Sequence, residues 1–147
     1  MKFDICAIAA IAGAFIASFF GGWSAGIAAL VCFMAIDYIT GLVVAGIFHA
    51  SPKSKQGGLE SHAGWKGLAR KLVTLLIVAM AHKIDELMGI NYVRDAAVIG
   101  FCANEVLSIV ENAGLMGIKL PKPVLKAIEV LHDKADTEDD ERNDSND

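Results

Sequence analysis

The sequence predicts an all-α membrane protein: about four transmembrane helices (three is the alternative count), then a short C-terminal amphipathic helix and a disordered acidic tail. Three observations predict it. The 147 residues are 54% hydrophobic with a mean hydropathy of +0.48, and the excess lies in Ala, Gly, Ile, Leu and Val rather than in aromatics. The apolar residues come in long runs that suit hydrocarbon better than one soluble core. The charge is segregated: residues 133–147 hold eight acids and two bases, whereas residues 1–132 hold nine acids and eleven bases. The chain therefore divides into a transmembrane helical domain (1–118), a cytoplasmic amphipathic helix (119–132) and the tail (133–147).

The first span covers residues 5–20 and reaches the ~20 residues that cross hydrocarbon only if Gly21 to Trp23 are included. Lys2 before an apolar run resembles a signal peptide, but Asp4 cancels the charge and no A-x-A site follows, so a retained span is expected. Ala9, Gly13, Ala17 and Gly21 recur every fourth residue, and this ridge of small side chains would let helix backbones approach closely in lipid. After "FFGGWSAG", a second span covers 26–48 and carries Asp37 near its middle, with Thr40 and Gly41 beside it. The loop "HASPKSKQGGLESHAGWKG" and the residues after it hold Lys53, Lys55, Lys66, Arg70 and Lys71, the most basic connection in the chain. By the positive-inside rule it faces the cytoplasm, as do both termini of a four-span protein.

A third span covers 68–87, with Arg70 and Lys71 at its inner end. A fourth, 93–115, is marginal. Fifteen residues separate Asp95 from Glu111, about 22 Å of helix. Its apolar residues supply roughly −0.3 to −0.6 kcal/mol each on the insertion scale, against about +2.5 to +3.5 for one central carboxylate. Such a helix is not expected to insert without partners. After "GIKLPKP", Val124, Ile128 and Leu131 mark the apolar face of the amphipathic helix, with Pro123 in its first turn.

Polar residues at membrane depth need partners, protonation or water. Those of the fourth span are Asn104, Glu105, Ser108, Glu111 and Asn112, with Asn104, Ser108 and Glu111 on one face. An Arg70–Glu111 pair between spans three and four would satisfy both. Asp37 and Glu105 lie deeper, and no basic residue is expected at their level. One chain of four thin helices is too small to hide them, whereas several chains around a shared interior are not. Whether these groups line such an interior or lock helices together stays open. Cys6, Cys32 and Cys102 sit in apolar runs as small hydrophobes. No metal motif, phosphate loop, nucleophile elbow or nucleic-acid signature is present, so neither an enzyme, a cofactor, a metal site nor a nucleic-acid partner is expected.

"DYITG", "GWKGLARKLVTLLIVAMAHKID" and above all "ANEVLSIVENAGLMGIKLPKPVLKAIEVL" resemble the phage holin family that includes clostridial toxin-secretion holins. The resemblance covers about residues 30–132. It implies a multi-pass protein of the host cytoplasmic membrane that oligomerises and opens lesions at a set time. The partners it implies are membrane lipid, further copies of the chain and, indirectly, an endolysin that escapes to degrade the wall. Many such genes use two starts to make an inhibitor; here the next Met after Met1 is Met34, inside span two, so that device is not expected. A small ion channel or transporter, or an antiholin or scaffold that binds a holin, are the alternatives.

Overall fold

In the computed structural model, residues 2–144 are described, with side chains over 4–137. Among them are five helices and no strand: α1 (Lys2–Phe19), α2 (Ala25–Gly46), α3 (Ser61–Met88), α4 (Val93–Leu115) and α5 (Lys122–Asp144).

A Schellman closure ends α1. Gly22 N–H donates to Ala17 O at 2.9 Å and Gly21 N–H to Ser18 O at 3.3 Å, and Gly21 takes the left-handed φ of 74° that this closure requires. Ser24 then caps α2, its hydroxyl accepting from Ile27 N–H at 3.3 Å. Buried residues of α2 follow a three–four spacing: Ile27, Leu30, Met34, Asp37 and Val44. That spacing makes a seam along one side of the helix, and the seam lies against α4. The shared core gathers Ile27, Leu30, Met34, Val78, Val98 and Cys102, with Phe20, Phe33, Leu75 and Phe101 packed around them.

Because α2 and α3 each pack mainly on α4 and touch each other little, α4 is the centre of a three-helix layer. Between α2 and α3 lies an apolar groove of about 570 Å³, walled by Val31, Met34, Tyr38, Trp65, Leu68 and Leu72. Large apolar side chains also cover the outside of the layer, among them Ile39, Leu72, Leu76 and Met80. Such a surface is far more apolar than water tolerates.

Where four spans are expected, one helix among the described residues, Ala25–Gly46, is long and apolar enough to cross a membrane by itself. The apolar part of α1, Asp4–Phe19, is shorter, about 24 Å at the helical rise. In α3 and α4 the apolar runs are interrupted by charge. The beginning of α3 also differs from expectation. It starts at Ser61, not near residue 68, so the polar stretch "SHAGWKG" is helical. At Gly64 and Gly67 this added length packs on Tyr38, which would lie 3.5 and 4.0 Å from a Cβ built at each.

The large apolar side chains of α1 are exposed, from Phe19 at 46% to Ile11 at 70%. Its small-residue ridge is exposed at Ala9 and Gly13 and half-buried at Ala17; a Cβ added at Gly13 would meet no atom within 4 Å. Gly21 is not a ridge member at all but the turn residue of the Schellman closure.

The acidic segment departs from expectation as well. A disordered tail is expected from residue 133, yet α5 begins at Lys122 and continues to Asp144. Ile128, Leu131 and Ala135 carry one half-buried face past residue 132, and α5 packs on α4. His132 and Asp136 pair one turn apart at 3.6 Å, and Thr137 Oγ1 donates to Asp133 O at 2.6 Å. These local contacts support helix beyond the expected end. Residues 145–147 lie outside the described residues.

Candidate functional site: a charged layer across three helices

At the middle of the α2 seam the apolar spacing delivers Asp37 instead of a hydrophobe. The same happens on α4, where Val98, Cys102, Glu105 and Asn112 follow one another at four, three and seven residues. The two seams meet, so Asp37 faces Glu105 and Asn112. Lys71 reaches in from α3, eleven residues along that helix, and stands between the acids.

Lys71 Nζ donates to Asp37 Oδ2 at 2.8 Å and also to Glu105 Oε2. The three side chains are 13%, 9% and 15% exposed for Lys71, Asp37 and Glu105 respectively. From the other side Asn112 Nδ2 donates to Asp37 Oδ1 at 3.1 Å and to Thr40 Oγ1 at 3.0 Å. Thr40 passes its own proton to Ile36 O at 2.9 Å, which leaves its oxygen free to accept from Asn112. Ser108, one turn from both Glu105 and Asn112, lies beside the Asp37 carboxylate. Gly41 keeps this corner open: its nearest neighbour, for an added Cβ, would be Asn112 Nδ2 at 3.8 Å.

This geometry corrects three expectations. A basic residue does share the level of Asp37 and Glu105, namely Lys71. The expected Arg70–Glu111 pair is not made; both side chains are exposed, and among the described residues no ion pair joins them. A single chain also satisfies Asp37, so its depth alone does not call for assembly. The polar face of α4 is turned by one residue from the expected one. Glu105, Ser108 and Asn112 point inward, while Asn104 and Glu111 are exposed.

Two carboxylates and one ammonium, as ionised groups, leave the layer one negative charge in excess. Removing one partner from a buried pair leaves an uncompensated charge and costs about 3–5 kcal/mol. The layer therefore pins the register of α2, α3 and α4 while it is complete. It also supplies the groups that any hydrated path through these helices would expose.

A second polar cluster, not expected from the sequence, ties the far end together. Asp85, buried near the end of α3, accepts from Val93 N–H at 3.0 Å and Arg94 N–H at 2.9 Å. It caps α4 from another helix and neutralises the N-terminal dipole. Arg94 Nη1 in turn donates to Phe20 O at 3.0 Å, closing the last turn of α1. His82 and Arg94 crowd Gly21 so closely that an added Cβ would lie 2.5 Å from the His82 ring. The signal available in sequence was an acid eight residues before the start of α4, across a turn containing Gly89.

The model of the bacteriophage holin family matches residues 14–133. An uncharacterized protein of Listeria monocytogenes is 39% identical over 145 residues, spanning 98% of this chain and 94% of its own. The probable holin of Bacillus phage phi105 is 36% identical over 110 residues, 73% of this chain and 76% of its own. A Clostridium perfringens protein is 31% identical over 117 residues, 78% of this chain and 83% of its own. No solved structure matches. The matched region contains α2, α3 and α4 whole, and with them every residue of the charged layer: the chain belongs to the bacteriophage holin family.

Proposed function

We propose that this protein is a holin, a multi-pass protein of the host cytoplasmic membrane with both termini in the cytoplasm. Copies accumulate, associate and then open lesions through which a cytoplasmic endolysin reaches the wall. The observation that carries this reading is the Asp37–Lys71–Glu105 layer buried inside helices whose outer surface is apolar. Lipid favours that packing only while the layer stays sealed from lipid. Rotation of α2 or α3 away from α4 would break the Lys71 bridge and turn charged groups toward whatever the next chain encloses. Exposed α1 and the groove between α2 and α3 are the apolar surfaces available for association. Charged Asn104–Glu111 surface on α4 adds to the polar lining once chains enclose water.

The test is induction of this gene alone in a host that also makes a cytoplasmic endolysin. Abrupt lysis after a fixed delay supports the reading. Growth without lysis removes it. Lysis only when a second phage membrane protein is present would make the chain an accessory or inhibitor. A steady ion-selective leak without release of folded protein would make it a channel.

A further inference from the structure

A second cleft leads into the charged layer. It lies between the 51–60 loop, the second half of α2 and the first turns of α3, and has a volume of about 80 Å³. At the loop end it is bounded by Lys53 and Ser54, and at the deep end by Asp37 and Lys71. Its walls are kept thin by Gly41, Ala45, Gly64 and Gly67. On α2 it extends from Asp37 to Ala45, eight residues or about 12 Å of helix.

Three features say that water, not packed side chain, belongs here. One water needs only about 10–15 Å³ of such space, so the cleft has room for several. Ser54 Oγ, which lines it, is buried and makes no hydrogen bond to any protein group; among the described residues it is the one buried side-chain polar atom in that condition. Such a hydroxyl costs about 1–3 kcal/mol unless solvent reaches it. Finally, Lys53 and Glu60 near the loop end and Asp37 and Lys71 at the deep end set four ionisable side chains along its walls, a lining that water solvates and an apolar filling would not.

We propose that this cleft is a water-filled vestibule, present in each single chain before assembly. It hydrates the Asp37–Lys71 side of the charged layer from the loop side. The inference rests on the reading that these helices lie in a membrane. Under it, about 12 Å of a ~30 Å path across the hydrocarbon already exists in one chain, and association has only to complete the part beyond Asp37 and Lys71.

The experiment is thiol labelling in membrane vesicles before any lysis. Cys6, Cys32 and Cys102 are replaced by Ala, and single cysteines are placed at Ala45 in the cleft and at Ile39 on the exposed face of α2. The probe is a permanently cationic methanethiosulfonate, and a cysteine at Lys53 reports which vesicles present the loop to it. Ala45→Cys should react at least about tenfold faster than Ile39→Cys from the loop side, because only a hydrated thiol ionises to the reactive thiolate. Where Ala45→Cys fails to fold, Gly41→Cys replaces it, since its added Cβ meets nothing closer than 3.8 Å. Equal rates at the two positions, or labelling that appears only once lysis begins, would overturn the proposal. Fast labelling in a chain that never lyses a host would support the vestibule while removing the holin reading, so the two fail separately.

Discussion

Lys71 Nζ lies 2.8 Å from Asp37 Oδ2, and the same ammonium holds Glu105 of α4. One lysine thus joins α2, α3 and α4 at a level where the seams otherwise carry only the neutral polar groups of Thr40, Ser108 and Asn112 among apolar residues. The packing of three helices and the sealing of their polar groups depend on that one side chain.

Lys71→Met should therefore be the most damaging single change in the layer. It leaves two carboxylates facing each other, a loss of about 3–5 kcal/mol. Asp37→Asn keeps the shape and a hydrogen bond to Lys71, and should cost about 1–2 kcal/mol. Unfolding of the detergent-solubilised variants by denaturant measures both. An equal loss in the two would mean that charge at this level does not matter.

Arg70→Ala, one residue away, is expected to change stability by no more than about 0.5 kcal/mol, since the side chain is exposed and unpaired with Glu111. The same unfolding series reads it. A loss as large as that of Lys71→Met would show that the expected Arg70–Glu111 pair forms after all.

Asp85→Ala removes the cap that α3 gives to α4 and should cost about 1–2 kcal/mol. The loss should be local first. Amide exchange at Val93 and Arg94, whose N–H groups bond to Asp85, should quicken while amides at Leu30 and Val78 stay protected.

The small-residue ridge gives a contrast between two glycines. Gly21→Ala meets a φ of 74° and the His82 ring, so it should destabilise the single chain by about 1–3 kcal/mol. Gly13→Leu meets nothing within the chain. It should leave chain stability unchanged and lower cross-linking between copies, if α1 is the surface through which they associate. Undiminished cross-linking would assign association to the α2–α3 groove instead.

Much of this arrangement was readable in the residues. The helices α2, α3 and α4, the breaks at Gly21 and Gly89, and the polar character of the Asn104–Asn112 stretch all follow from composition and periodicity. Lys71 was misplaced for a physical reason. With α3 taken to begin near residue 68, Lys71 falls at the rim of the membrane; the helix begins at Ser61, and Tyr38 packs against its first turns at Gly64 and Gly67. About two turns of extra helix precede residue 68, and Lys71 lies at the level of Asp37. The inward face of α4 was missed by one residue because Asn104 and Glu111 are as polar as Glu105 and Asn112. The apolar seam of Val98 and Cys102, extended at the same spacing, would have chosen between them. Nothing in α5 marked its helical continuation except Ala135, in step with Ile128 and Leu131.

Truncation after Lys134 removes seven of the chain's seventeen acids and one base, and turns its net charge from −4 to +2. If repulsion between neighbouring acidic helices delays association, lysis should begin earlier, and more so at low ionic strength in vesicle assays. An unchanged onset would leave the segment without a part in timing.

Under the proposed function, a charged layer sealed from lipid sets when this protein opens the membrane. Its most direct measure is the onset of lysis in a host carrying a cytoplasmic endolysin, with wild type compared to Lys71→Met at matched membrane levels. The account predicts abrupt lysis by the wild type and a clearly shifted or abolished onset for Lys71→Met. Lysis by the variant on the wild-type schedule, or none by the wild type, would contradict it.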